Sequence, residues 1–255
     1  MERITSRDNQ RLIQARKVRD GLDKSAIFIE GKRLADEAIK SGIKISECFV
    51  SEAFNPNDMV DRIEAPVFQL SEKIFKSIAD TDSPQGLILI AERPTRQAYV
   101  PRDLPIDLFL NEINNPSNLG AILRTAEAAG VERVILSRGS ADPFSPKALR
   151  ASMGSAFRVA IREGECLQYV VAAAGEQSTW VAGVDINGAT EYTNFDWAGR
   201  GVLVFGSEAH GLSKDELLLC DDTIRIPMAA GVESLNLATS VAVILFEARK
   251  ALFLN

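Results

Sequence analysis

Residues 107–136 read DLFLNEINNPSNLGAILRTAEAAGVERVIL. An apolar run of strand length, Asp107 to Leu110, enters a polar loop. A helical stretch then stops at Gly130, and a second apolar run follows at Arg133 to Leu136. Strand, helix and strand in that order predict parallel pairing, because a parallel crossover needs a connection of about a dozen residues or more. Further along, Thr179 to Val181, Val202 to Phe205 and Thr223 to Ile226 repeat the alternation. It predicts an α/β fold with a mostly parallel sheet, doubly wound in outline and covered by helices on both faces. The last helix, about Leu235 to Leu252, is apolar in its first half (LNLATSVAVILF) and charged towards its end, so burial against the sheet or a partner subunit is expected.

Towards the N-terminus, Arg93 to Pro105 (RPTRQAYVPRDLP) holds three prolines and little periodicity and reads as a linker. The chain is therefore divided into residues 1–95, a linker at 96–105 and a second domain at 106–255. The first domain opens with a basic helix, about Asn9 to Asp20, stopped by Gly21. Two cycles of strand and helix follow: Ile27 to Glu30 with Lys32 to Ser41, then, after a strand at Ile45 to Val50, Val67 to Leu70 with Glu72 to Ala79 capped by Ser71. A buried strand at Gly86 to Ala91 completes a small α/β sandwich.

At 255 residues and 46% apolar composition the chain has enough material for one large core or two small ones. No apolar run approaches the roughly 20 residues of a membrane span and no secretory pattern opens the sequence, so a soluble, cytoplasmic protein is expected. Cys48, Cys166 and Cys220 lie far apart beside a single histidine, which argues against a metal site or a disulfide framework. The net charge of −6 is unfavourable for nucleic acid, but it is unevenly distributed. Residues 1–99 carry 16 basic and 16 acidic groups, residues 100–255 carry 13 and 19, and the first 33 residues hold nine basic against five acidic. Arg3, Arg7, Arg11, Arg16, Lys17 and Arg19 form a local basic patch suited to docking RNA.

Three loops at the expected carboxyl ends of strands carry unusual chemistry, which is where an open α/β sheet places its ligands. In the first, Asn111 to Gly130, Asn118 or Ser117 can cap the helix, and Arg124 shares a face with Glu127. That pair reads either as a surface ion pair or as part of a site. The second, Val204 to Ser213 (VFGSEAHGLS), joins a buried strand to two glycines, Glu208 and His210. Ser213 and Glu216 there form a capping box. It reads as a tight turn or as a place where a ligand meets the backbone. The third, Ile226 to Leu237 (IPMAAGVESLNL), offers Ser234 or Asn236 as a cap for the last helix and Ile226, Met228 and Leu235 as apolar lining.

In order, spacing and content, the three loops together resemble the signature motifs of the SpoU branch of the SPOUT methyltransferases. The similarity includes DPFSPKALRASMGSAF (residues 142–157). ITSRDN, FIEGKRLADEA and DTDSPQG in the first domain are similar to the ribosomal-protein-like substrate-binding module often fused ahead of the catalytic one. The resemblance implies a deep trefoil knot in the catalytic domain, whose loops hold S-adenosyl-L-methionine through Val204, Gly206, Ile226, Met228 and Leu235. The family's motif residues match at Asn118, Arg124, Glu208, Ser234 and Asn236, while Ala209 stands where the family often has glycine. The implied activity is methylation of a ribose 2′-hydroxyl, the group that tells RNA from DNA. Ribosomal RNA is favoured over transfer RNA, with contacts from Arg7, Arg11, Arg16 and Lys17. The implied assembly is a homodimer through the catalytic domain, with the active site drawn from both subunits. Two rivals are a non-catalytic RNA-binding protein that keeps the fold and a nucleotide-binding Rossmann enzyme. No G-x-G-x-x-G follows an early strand to support the second.

Overall fold

The computed structural model describes residues 1–55, 59–94 and 103–253. They form two compact units: residues up to 94 with Pro143–Phe157, and residues from 103 to Asp142 with those from Arg158 onward.

In the first unit, β1 (Glu2–Ile4), α1 (Gln10–Arg19), β2 (Ala26–Glu30), α2 (Lys32–Lys40), β3 (Ile45–Ser51), β4 (Val67–Leu70), α3 (Glu72–Ile78) and β5 (Leu87–Glu92) follow one another. The sheet runs β1-β4-β3-β5-β2 and is mixed: β4 is parallel to β1 and β3, while β5 is antiparallel to β3 and β2. Asn9 caps α1 by accepting from the Arg11 amide, and Gly21 ends the turn beyond it at φ 72°. The expected cap at Ser71 is only positional, since its side chain makes no capping bond. Leu12, Ala15 and Val18 of α1 and Ile74, Phe75 and Ile78 of α3 share one apolar cluster with strand residues of the sheet.

The remaining elements are β6 (Leu104–Leu110), α4 (Pro116–Ala129), β7 (Val131–Ser137), α5 (Pro146–Ser152), β8 (Ile161–Glu165), α6 (Leu167–Glu176), β9 (Trp180–Val184), β10 (Thr190–Glu191), β11 (Gly201–Phe205), α7 (Lys214–Leu217), β12 (Asp222–Arg225) and α8 (Leu237–Phe253). Seven strands form the sheet of the second unit in the order β10-β12-β9-β11-β6-β7-β8, and every registered pair is parallel. The cluster under α6 contains Phe109, Val181, Val202 and Val204, and the alternate residues Leu108, Leu203 and Phe205 are buried too, so both faces are covered. α8 packs on α4 and buries Val241, Ile244, Leu245 and Ala248.

Residues 96–102 of the expected linker lie outside the described residues, and strand begins by Leu104. β9 extends to Val184 rather than ending at Val181, because Ala182 and Gly183 remain in register with β11 despite their weak strand preference. The segment Pro143–Phe157, expected in the second domain, packs with the first unit. There α5 lies against β2, Arg150 pairs with Asp80, and Gly154 passes so close to α2 that a Cβ would stand 2.7 Å from the Glu37 Cβ.

Candidate active site

In a parallel sheet all strands end on one edge, and β12, β9, β11 and β6 are neighbours. Their exit loops therefore meet around one cleft of about 600 Å³. It falls within the roughly 300–1,000 Å³ range of small-molecule sites.

A polar relay ties three of these loops together at the rim. Glu208, after β11, accepts from Asn118 Nδ2 at 3.2 Å and from the Asn114 amide at 3.3 Å. Asn118 Oδ1 in turn accepts from Asn236 Nδ2 at 3.3 Å. Asn236 is the cap of α8, its Oδ1 accepting from the Ala238 amide at 2.9 Å, so the helix start orients the whole chain of amides. Beneath it, one oxygen of Glu216 closes the capping box on the Ser213 amide at 2.7 Å and the other accepts from Asn111 Nδ2 at 2.6 Å. This link between the first and second loops had no signal in the sequence, where Glu216 reads only as a cap.

Gly206, Ile226, Met228, Ser234 and Leu235 line the cleft with Asn118, Glu208 and Asn236. Val204 does not. It points into the core under α6, and its strand neighbour Phe205, on the opposite face, reaches the cleft instead. The demand for glycine at 206 comes from the protein itself: a Cβ there would stand 2.0 Å from the carbonyl carbon of Gly211. The loop folds back at this point, Ser207 and Gly211 exchanging backbone bonds at 3.2 and 2.9 Å. His210 is exposed, and its imidazole makes no hydrogen bond among the described residues.

Arg124 sits on the exposed side of α4, does not line the cleft, and makes no hydrogen bond or ion pair among the described residues. The surface-pair reading of Arg124 with Glu127 is overturned: Glu127 is held by Arg158 through two bonds of 2.6 and 3.0 Å. The cap of α4 is Asn115, which accepts from the Ser117 amide at 2.9 Å. Pro116 at the first helical position moves the start ahead of Ser117 and Asn118 and frees Asn118 for the cleft.

No group of His, Cys, Asp and Glu that could hold a metal occurs among the described residues. Burial pushes the Cys48 thiol up to about 12, and burial with the charges of Asp221 and Glu216 pushes Cys220 up to about 11. Both stay protonated at neutral pH, and neither is a nucleophile.

The basic patch of α1 is largely committed inside its own unit. Arg11 pairs with Glu47 and lies 4.6 Å over the Phe68 ring. Arg16 donates to the Arg7 carbonyl at 2.9 Å, Arg19 binds Asp20 and the Ala79 carbonyl, and Arg3 pairs with Glu52. The side chains of Arg7 and Lys17 form no hydrogen bond or ion pair among the described residues.

Residues 105–246 match the SpoU rRNA Methylase family, and residues 9–89 match the MRM3-like substrate binding domain. The chain is similar to the 23S rRNA (guanosine(2553)-2′-O)-methyltransferase RlmP of Bacillus subtilis, at 28% identity over 98% of this chain and 100% of that one. The uncharacterized tRNA/rRNA methyltransferase slr1673 of Synechocystis is 30% identical over 97% of this chain and 93% of its own. Among solved structures, an AdoMet-bound rRNA methyltransferase from Sinorhizobium meliloti has a TM-score of 0.82 at 28% identity, covering 99% of this chain and 98% of that one. The SpoU methyltransferase AviRb from Streptomyces viridochromogenes reaches 0.85 at 22% identity, covering 95% and 97%, and shows the fold alone.

Proposed function

The chain belongs to the SpoU rRNA Methylase family, and on that premise we propose that it methylates a ribose 2′-hydroxyl of structured RNA, ribosomal RNA before transfer RNA, using S-adenosylmethionine. The observation that carries this reading is the relay Glu208–Asn118–Asn236, assembled from three loops at the rim of one cleft. A scaffold that only binds RNA has no need of three mutually oriented polar side chains there.

The cleft suits the cofactor. Ile226, Met228 and Leu235 give it apolar wall, Gly206 brings backbone to its surface, and Val204 supports the loop from below. When bound, the cofactor supplies a methyl group already activated on a sulfonium. The chain's own task is to hold the 2′-oxygen in line and manage its proton. Asn118, Ser234 and Asn236 offer hydrogen bonds at the rim, and Glu208 fixes the Asn118 amide. Arg124 contributes a planar guanidinium, a fixed positive charge with donors but no acceptor. It binds the neighbouring phosphate and stabilises the negative charge growing on the 2′-oxygen while the proton leaves to solvent.

The finer features of the family belong to the same reading. The second unit is tied in a deep trefoil knot, a reading that rests on the match of residues 105–246 to the family. The protein is a homodimer through the catalytic domain, 106–255. Supporting this, Phe246 and Phe253, two turns apart on α8, are 49% and 48% exposed, and Arg124 stands outside its own cleft. Residues 1–95 bind the RNA and 96–105 link the two. No helix among the described residues is long and apolar enough to cross a membrane, which fits a cytoplasmic enzyme.

The test is transfer of labelled methyl from S-adenosylmethionine to ribosomal and transfer RNA from cells lacking the protein. Label in ribosomal RNA that survives alkaline hydrolysis as a 2′-blocked dinucleotide is expected. Alkali-labile label, or none, would overturn the reading. For the RNA surface, replacing Arg7 and Lys17 by alanine is expected to weaken RNA binding and flatten its dependence on log salt by about one unit for each phosphate no longer neutralised. Filter binding between 50 and 200 mM salt measures this. Arg11→Ala, which mainly breaks the pair with Glu47, is expected to cost about 0.5–1 kcal/mol of stability and little salt slope.

A further inference from the structure

The fourth loop at the cleft, Asp185 to Gly188 after β9, belongs to none of the three motif loops. Its turn is fixed by three bonds: the Asp185 amide to the Ile224 carbonyl at 3.0 Å, the Gly188 amide to the Asp185 carbonyl at 3.1 Å, and the Asn187 amide to Asp185 Oδ1 at 2.8 Å. Gly188 also lies against β12 so tightly that a Cβ would stand 2.5 Å from the Ile224 carbonyl carbon. The turn is therefore rigid, and one carboxylate oxygen of Asp185 is used in building it.

The other oxygen is unspent. Asp185 Oδ2 makes no hydrogen bond among the described residues and lies beside the hairpin glycine, 3.9 Å from where a Cβ on Gly211 would be. Arg225, the next cation along the β9–β12 register, is engaged elsewhere, by the Gly188 and Ala189 carbonyls and by Glu191. Two residues beyond the last registered pair, Val184 with Ile224, stand Ile186 and Ile226, and both line the cleft. Ile186 is 58% exposed, apolar surface left at the mouth of a pocket.

A fixed carboxylate beside an aliphatic wall matches a nucleoside, with the base on the wall and the sugar hydroxyls donating to the carboxylate. We propose that Asp185 accepts hydrogen bonds from the ribose hydroxyls of the cofactor and selects for an intact ribose. This rests on the reading of the cleft as the S-adenosylmethionine site.

The experiment is calorimetric titration of the wild-type protein, Asp185→Asn and Asp185→Ala with S-adenosylhomocysteine and with its 2′-deoxy and 3′-deoxy counterparts. The wild type is expected to bind the intact compound about tenfold or more tightly than at least one deoxy compound, the scale of a hydrogen bond to a charged group. Asparagine keeps the acceptor for the Asn187 amide, so the turn survives. Both variants are nevertheless expected to lose about tenfold for the intact compound, bringing the intact-to-deoxy ratio close to one. Variants that keep the wild-type ratio overturn the proposal, even if overall affinity falls, because the role of Asp185 would then be confined to its turn. Failure of the wild type to bind any of these compounds would instead overturn the cofactor reading beneath it.

Discussion

Gly206→Ala is expected to weaken cofactor binding at least tenfold and to reduce methyl transfer by about 10²-fold, while the protein still folds. The added Cβ would meet the Gly211 carbonyl carbon at 2.0 Å, its oxygen at 2.2 Å and the Leu212 amide at 2.4 Å. All three are backbone atoms, so the hairpin must open to admit the methyl group. Opening it breaks the paired bonds between Ser207 and Gly211 and moves Glu208 away from Asn118. A displacement of about 1 Å at a positioning group costs on the order of 10²-fold in rate. Overpacking of this kind costs about 1–3 kcal/mol of stability, a shift of several degrees in Tm that leaves the core intact. Gly211→Ala is the control. Gly211 has φ 65°, and its own Cβ would meet nothing nearer than 3.9 Å, so the cost is backbone strain of about 1–2 kcal/mol with the loop held in place. Titration calorimetry and initial rates on both variants check the contrast. Equal behaviour of the two would show that the hairpin geometry does not shape the site.

What could be read from the sequence divides according to the range of the forces involved. The β6–α4–β7 unit is local: an apolar strand, a capped helix, a C-terminal glycine and a second strand lie within 30 residues, and the structure keeps them nearly where expected. The Ser213–Glu216 capping box and the Asn236 cap are local too, and both form. Side chains whose partners lie far along the chain were not legible. Arg11 reads as a free cation in a basic helix, but Glu47, 36 residues away, neutralises it. Glu127 reads as the partner of Arg124 one turn earlier, yet Arg158, 31 residues on, wins it with two hydrogen bonds. The second role of Glu216 depends on Asn111, brought near only because β6 and β11 are neighbours. Asp185 escaped notice because Ala182 and Gly183 hide the end of β9. A loop is recognised as a ligand loop only once the strand before it is known to reach the edge of the sheet.

Arg124→Ala is expected to lower methyl transfer by about 10²–10³-fold, the cost of losing a charged group that acts mainly in the transition state. Cofactor affinity should be unchanged, because Arg124 does not line the cleft, and stability should stay within about 0.5 kcal/mol, because its exposed side chain has no hydrogen-bond or ion-pair partner among the described residues. Arg124→Lys keeps the charge but not the planar fork and is expected to recover only part of the rate. The same variant tests the shared site. In a homodimer whose sites each take Arg124 from one protomer and the cleft from the other, mixing Arg124→Ala with Gly206→Ala chains creates one intact site in each mixed dimer. With random exchange, half of the dimers are mixed and one of their two sites works, so about a quarter of wild-type activity should return from two nearly inactive proteins. If Arg124 serves the cleft of its own chain, every site in the mixture carries a defect and no activity returns. Rates measured before and after subunit exchange therefore distinguish an arginine that completes the partner's site from one that serves its own.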